Sequence, residues 1–362
     1  MADRQEMLSG TEVPPEHLTL DSEALGEYLR NRVPELGDDF EIEKFKGGQS
    51  NPTYKLIGKT QSFVLRRRPP GELLASAHAI DREYRVTKAL SAIGLPAPRP
   101  ALYCDDESVI GSEFYITEFV DGRVFWNAEV PGVSRQDRTA IYESMSDFLA
   151  RLHKVDYRAV GLETFGREDG FTARNLKRWS TIYEQSKLIE IPDIEWLKDA
   201  LHERLPAQEP VTIIHGDFGL YNAIIHGTRA EIRSVLDWEM STLGNPYIDL
   251  AHNTRAWWEP PGFAEGTATT LVGQNLQELG IPSLENHVQN YCQQAGIANI
   301  PDMQFYLSFV QFRYAVMVQG IIKRAQQGTN VNRRVSHSQD RVAAIAALAR
   351  RTLTGPPTGI FG

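Results

Sequence analysis

The period of the apolar positions changes twice in the first third of the chain. From Phe40 to Arg68, short runs rich in β-branched and aromatic residues, EIEKF, TYKLIG and SFVLR, are separated by GGQSN and GKTQ, the pattern of three antiparallel strands joined by turns. Ile80, Tyr84, Thr87, Leu90 and Ile93 then recur at spacings of three and four, which predicts a helix, and Gly94 and Pro96 stop it. The turn LPAPRP leads to two more strand-like runs, ALYC and SEFYITEFV, ending at Asp121-Gly122, where a lobe boundary fits. Ahead of all this, residues 1–38 carry Pro14, Pro15 and one amphipathic patch, Leu18 to Leu29, and predict an extension with a short surface helix.

Beyond Gly122 the period is mostly helical. Ser134 with Asp137 three residues later forms a capping-box pattern, opening a helix whose Ile141, Met145, Phe148 and Leu152 share one face. Three strand-like pieces, VTIIHGD, NAIIH and EIRSVLDW, interrupt the helices, which resume at Pro246 and run to about Arg351. The longest apolar stretch, Tyr306 to Ile322, is broken by Gln311, Arg313 and Gln319 and predicts a buried core helix rather than a bilayer span. The expected class is α+β. Residues 39–122 form a small lobe, 123–354 a larger helical one, and 355–362, GPPTGIFG, a loose tail.

Composition narrows the function classes. The 362 residues are 41% hydrophobic and 23% charged, a chain that folds into roughly two domains. With 38 basic against 47 acidic residues the net charge is −9, so there is no global positive field to draw nucleic acid or anionic lipid. Cys104 and Cys292 are far apart and outside any CxxC pair, which argues against a disulfide framework and a thiolate zinc site. The opening MADRQEMLSG lacks the basic-then-apolar order of an export signal, and a reducing cytoplasm is the expected compartment.

The sharpest chemical signal is His215-Gly-Asp217-Phe-Gly-Leu-Tyr-Asn222, directly after the apolar run VTII, followed by Asp237 at the end of RSVLDW. The order H-x-D-x4-N, then D, matches the kinase catalytic loop: an Asp receives the acceptor hydroxyl proton, an Asn five residues on holds magnesium, and a later Asp holds magnesium against the phosphates. That assigns Asp217 as the catalytic residue and Asn222 and Asp237 as metal ligands, since magnesium prefers hard oxygen donors. Taken singly, each of these residues is also an ordinary turn former, and His215 an ordinary core histidine.

Together HGDFGLYN, VLDWE and GNPYIDLA resemble the aminoglycoside phosphotransferase and choline kinase-like superfamily, over about residues 40–330. The runs FKGGQSNPTYKL, FVLRRRPPGELLASAHAIDREYRV and LDWEMSTLGNPYIDLA are most similar to the kinase-like domain fused to some acyl-CoA dehydrogenases and to its free-standing bacterial relatives. The resemblance implies a two-lobed protein-kinase-like fold, a small lobe of antiparallel sheet plus helix and a mainly helical large lobe, with ATP and magnesium as cofactors. It further implies a small-molecule hydroxyl acceptor, with nucleic acid and membrane not expected as partners.

On this likeness Gly47, Gly48, Gln49, Ser50 and Asn51 form the turn over the triphosphate, where glycines let backbone amides approach an anion. The position of the phosphate-binding lysine falls on Arg66, a departure from the family pattern, because a guanidinium grips phosphate as a wide fork and not as a point charge. Glu83 is its acidic partner or a solvent-facing glutamate; Glu118 and Val120 lie in the segment whose backbone meets the adenine edge; Asp249 is a structural acid bracing the catalytic loop through His215. His153 reads as a packed histidine.

The acceptor side is less legible. Residues 251–330 hold 4 basic and 5 acidic side chains, not the dense acidic wall that a polycationic aminoglycoside wants. Arg255, Trp257, Trp258, Arg313 and Tyr314 are candidates for a pocket that takes an acid or acyl group, or else plain core residues. A hydroxy acid or hydroxyacyl thioester is the acceptor the likeness implies; an aminoglycoside, choline or homoserine kinase, and a catalytically silent nucleotide-binding module, are the alternatives.

Overall fold

Six short extended segments, Thr11–Glu12 (β1), Phe40–Phe45 (β2), Thr53–Gly58 (β3), Ser62–Arg67 (β4), Pro100–Cys104 (β5) and Phe114–Glu118 (β6), pair in the order β1-β2-β3-β4-β6-β5, every contact antiparallel. The computed structural model describes residues 9–46, 51–69, 80–260, 270–327 and 339–355. The chain divides into two units: the first runs to Phe125 and adds Val160–Leu162 and Asn222–Ser241; the second holds Trp126–Ala159, Glu163–Tyr221 and the chain from Thr242.

In the first unit, strict alternation sends Tyr54, Leu56, Phe63, Leu65, Phe114 and Ile116 to one sheet face, all within 2% of full burial. What covers that face is the N-terminal segment. The helix Ser22–Leu29, capped by Asp21, buries Leu25 and Leu29, and Leu20, Val33 and Leu36 join the same apolar cluster. Tyr54 Oη donates to Leu18 O at 2.7 Å, and β1 extends the sheet beyond β2. The expected separate extension over 1–38 is therefore corrected: at about 1.5–3 kcal/mol per fully buried aliphatic side chain, these leucines are part of the sheet's own core.

On the opposite face lies the helix Ile80–Ala92, with Ile80, Val86 and Leu90 buried and Tyr84 against the rings of Tyr103 and Tyr115, centroids 5.2 and 6.3 Å apart. Arg66 is on this face because it alternates with Leu65 and Arg67. The hairpin Ala223–Ile225/Ile232–Val235 also belongs to this unit and not to the large lobe expected over 123–354. Its attachments explain why: Val235 N donates to Pro96 O at 2.8 Å, and Arg123 and Ile225 exchange backbone bonds of 2.7 and 2.8 Å. Gly122 permits the approach, since a Cβ there would sit 2.4 Å from Ile224 Cγ2 and 2.5 Å from Ile225 O.

The second unit is helical around the buried helix Met303–Gln326, which packs on Phe171–Ser186, Pro246–Asn253 and Gln339–Thr354. This helix is long and apolar enough to cross a membrane, yet 83% of its apolar window is buried inside the protein. The helix Arg135–His153 starts at Ser134, whose Oγ accepts from Asp137 N at 3.1 Å; the reciprocal contact is Ser134 Oγ donating to Asp137 Oδ2. Thr212–Ile214 pairs antiparallel with Thr242–Gly244, a three-residue strand that no sequence pattern announced. The turn residues Gly47, Gly48, Gln49 and Ser50, and the tail from 356, lie outside the described residues.

Candidate active site

The loop HGDFGLYN leaves the strand Thr212–Ile214 and is held from one helix. Asn245 caps that helix, Pro246–Asn253, accepting from Tyr247 N at 3.0 Å, with Pro246 suited to the first turn. Asp249, His252 and Asn253, spaced i, i+3, i+4, therefore share a face, and each grips a different atom of the loop. Asp249 Oδ2 and Oδ1 accept from the backbone amides of His215 at 2.7 Å and Gly216 at 2.8 Å. His252 Nε2 meets Asp217 Oδ1 at 2.9 Å, and Asn253 Nδ2 donates to Phe218 O at 3.3 Å. Gly216 sits at φ +86°, where a side chain would be strained.

Each of the three has a partner behind it. His153, buried as expected, places Nε2 3.3 Å from Asp249 Oδ2 and Nδ1 2.8 Å from Tyr291 Oη. His287 Nε2 meets Asn253 Oδ1 at 2.7 Å while its Nδ1 meets Ser146 Oγ at 3.1 Å. Arg313 Nη2 donates to His252 Nδ1 at 2.7 Å. The brace by Asp249 runs through the backbone amides of His215 and Gly216, and the imidazole of His215 accepts from Asp217 N at 3.2 Å.

Asp217 Oδ1 accepts two bonds, from His252 and from Tyr221 Oη at 2.9 Å. Burial is the largest single influence on the Asp217 carboxyl and pushes it up, but the His252 contact and the Arg255 charge together outweigh it and hold the group down at about 2. Asp217 is an anion throughout the neutral range. His252 moves the other way: burial lowers it, the Asp217 bond raises it, and the Arg313 and Arg255 charges reinforce the lowering.

The first unit gathers a second cluster. Arg66 Nε lies 3.0 Å from Glu83 Oε2, an ion contact without hydrogen-bond alignment, and its Nη2 donates to Asp237 Oδ1 at 2.6 Å and Glu239 Oε2 at 3.2 Å. Glu83 is 2% exposed, which removes the solvent-facing alternative, and its Oε1 accepts from Trp238 N at 3.2 Å. Asp237 itself adopts φ +66°, ψ +60°, a left-handed conformation that an Asp tolerates better than most residues and that turns its side chain at the end of the hairpin. Burial disfavours charge on Arg66, yet Glu83 and Asp237 raise its pKa; burial likewise raises Glu83, against the pull of Arg66. Three carboxylates thus face one guanidinium.

Asn222, 8% exposed, begins the hairpin that ends in Asp237, and its backbone oxygen accepts from Leu236 N at 2.8 Å. Asn51, 1% exposed, donates from Nδ2 to Glu239 Oε2 at 3.4 Å. Glu118 N–H is used by Arg99 O, whereas Val120 N–H has no partner among the described residues. No group of three or more His, Cys, Asp or Glu among the described residues is arranged to hold a metal ion. The donors present, one amide oxygen and one carboxylate, suit a cation that keeps waters and substrate phosphates as its other ligands, as magnesium does.

The candidate acceptor residues divide. Arg255 and Trp257 help to wall a small pocket beside the loop, together with Tyr221 and His252. The Arg255 guanidinium is already paired with Glu259 at 2.9 Å and lies over the rings of Tyr221 and Tyr314, and Tyr314 Oη donates to Glu259 as well. Trp258, a core residue, is 7% exposed with Nε1 donating to Thr254 Oγ1, and Arg313 Nη2 donates to His252. Of the two readings, Trp258 follows the core alternative, so its assignment as a substrate contact is corrected. Sequence reasoning missed His252, although its spacing from Asp249 placed both on one helical face.

A braced H-x-D-x4-N loop in a helical unit, with a six-stranded antiparallel sheet carrying an Arg–Glu pair, defines a kinase-type phosphotransferase fold. The pattern of the phosphotransferase enzyme family APH matches residues 41–279, and the chain belongs to that family. Among its relatives, rat acyl-CoA dehydrogenase family member 11 is 37% identical over 357 residues, 96% of this chain and 45% of the relative. The chain spans about half the length of that curated relative. A structure from Ralstonia eutropha JMP134, provisionally described as an aminoglycoside phosphotransferase, is 37% identical with a TM-score of 0.81, covering 92% of this chain and 98% of that one. Spectinomycin phosphotransferase APH(9)-Ia, solved with ADP and spectinomycin, shares the fold at 12% identity and TM-score 0.60, covering 92% and 99%.

Proposed function

We propose that this chain is a cytoplasmic small-molecule kinase that uses ATP and magnesium to phosphorylate the hydroxyl of a hydroxyacyl thioester or a hydroxy acid. The observation that carries this reading is Asp217, an ionised carboxylate fixed by His252 and Tyr221 on a loop that reaches Asn222 five residues later. Phosphoryl transfer asks for alignment and charge neutralisation more than covalent help. Asp217 accepts a hydrogen bond from the acceptor hydroxyl, aims its oxygen and receives its proton as the new bond forms. Arg66 offers a fixed positive charge to the phosphates, and the backbone around Val120 and the turn Gly47, Gly48, Ser50 and Asn51 supply nucleotide contacts. Asn222 and Asp237 would hold magnesium, whose charge neutralises the phosphate oxygens; the surplus of carboxylates over Arg66 suits a bound cation.

Two observations bear on the acceptor. The relatives are named for acyl-CoA dehydrogenases, which supports an acyl group. The Arg255 guanidinium, which helps to wall the pocket beside the loop, is already paired with Glu259, which favours the thioester over a free acid that would need that charge. The test is mass spectrometry of products after incubation with ATP, magnesium and a panel of hydroxyacyl thioesters, hydroxy acids, aminoglycosides, choline and homoserine; a phosphate ester formed on an amine-bearing acceptor in preference to every acyl compound contradicts the assignment. One observation favours a silent nucleotide-binding module instead, the capture of Arg66 by three carboxylates; nucleotide-dependent stabilisation with no product from any acceptor would select it.

A further inference from the structure

We propose that His252 and Arg313 act as a positioning pair that fixes Asp217 through one defined proton, with Arg313 donating to His252 Nδ1 and His252 donating from Nε2 to Asp217 Oδ1. The inference rests on the kinase reading only for its effect on rate. Its physical basis is the donor inventory: a guanidinium has no acceptor and keeps its protons, so the imidazole nitrogen 2.7 Å from Arg313 Nη2 must be the lone-pair side. The proton then sits on Nε2, 2.9 Å from a carboxylate oxygen that also accepts from Tyr221. A second proton on His252 would aim an N–H at a guanidinium N–H, which the site disfavours.

Charged and titratable groups face this pair from every side. Asp217 and Tyr221 come from the loop, Arg255 from the chain that follows the His252 helix, and Asp249 from the turn below His252. The carboxylates favour an imidazolium; burial, Arg313 and Arg255 oppose it, and the opposing set prevails. The Arg313 bond at Nδ1 and burial thus both favour the neutral imidazole with Nε2 as its donor, and Asp217 keeps one oxygen pinned. Arg313 reaches His252 from the largely buried helix Met303–Gln326.

The test is two-bond 15N–1H NMR of the full chain labelled at histidine, with His252→Gln used to assign the signal. In the wild type His252 should show the neutral Nε2–H pattern at every pH from about 5 to 8. In Arg313→Met it should titrate within that window. Titration of wild-type His252 there, an Nδ1–H pattern, or a wild-type-like signal in Arg313→Met each overturns the pair. With an acceptor in hand, His252→Ala should lower kcat about 100-fold and move the acid limb of kcat/KM upward. His252→Gln, which keeps a donor for Asp217 and an acceptor for Arg313, should recover to within about tenfold; equal losses in the two variants overturn the positioning role. The NMR signature in a protein that phosphorylates nothing would sustain the pair and refute the kinase reading.

Discussion

Replacing Asp249 with asparagine exchanges one acceptor oxygen for an NH2 group where two backbone amides, His215 N at 2.7 Å and Gly216 N at 2.8 Å, both donate to the carboxylate. One amide loses its acceptor and meets a donor instead. A hydrogen bond to a charged group contributes about 1.5–3 kcal/mol, and a buried donor left unsatisfied costs about 1–3 kcal/mol. Asp249 is 1% exposed, so water cannot repair the loss, while removal of a buried charge returns part of its desolvation. The net expectation is about 2–4 kcal/mol for Asp249→Asn and about 1 kcal/mol more for Asp249→Ala, which orphans both amides. Urea unfolding at neutral pH measures it, through the midpoint at unchanged slope. An Asp249→Asn stability within about 0.5 kcal/mol of wild type would refute the two-amide brace.

Further outcomes follow from the same geometry. The carboxyls of Asp217 and Asp249 are both held below their unfolded values, so each contributes stability that is present above the ordinary aspartate range and disappears as pH falls through the folded values, about 2 for Asp217. Unfolding free energy followed downward from pH 5 should decline more shallowly in Asp217→Asn, and an identical slope contradicts the assignment. Glu83→Gln should loosen the hold on Arg66 and on Trp238 N, weakening the thermal shift produced by ATP and magnesium at least about tenfold in apparent affinity; undiminished nucleotide stabilisation counts against Arg66 as a phosphate contact. Gly122→Ala should destabilise by about 1–3 kcal/mol, because the new Cβ would meet the Ile225 backbone at 2.5 Å; a neutral outcome would show that the hairpin attachment can shift.

Local physics made much of this architecture readable. Strands β2 to β4 and the helix Ile80–Ala92 have one period each and clear stops, and the loop His215–Asn222 is a short contiguous motif whose chemistry dictates its spacing. What escaped was tertiary in origin. Leu25 and Leu29 announce an apolar stripe but not the sheet face that covers it, and nothing in residues 222–241 shows that Arg123 and Pro96 will bind them to the first unit. Thr242–Gly244 is too short for a period. Arg313 was legible as a charge on an apolar helix and therefore as a buried group with a partner; which partner depends on a crossing of two helices. The i, i+3, i+4 set Asp249, His252 and Asn253 was present in the text, and the loop it serves supplies its meaning.

The proposed role of Asp217 is to align an acceptor hydroxyl for phosphoryl transfer. Its most direct test is the rate of phosphate-ester formation by Asp217→Asn, measured at saturating ATP and magnesium on the acceptor that the wild type prefers, alongside nucleotide affinity by calorimetry. A loss of about 10³-fold in kcat is expected, within the span of a general acid–base group, with ATP binding retained. A variant that turns over within about threefold of the wild type would contradict it.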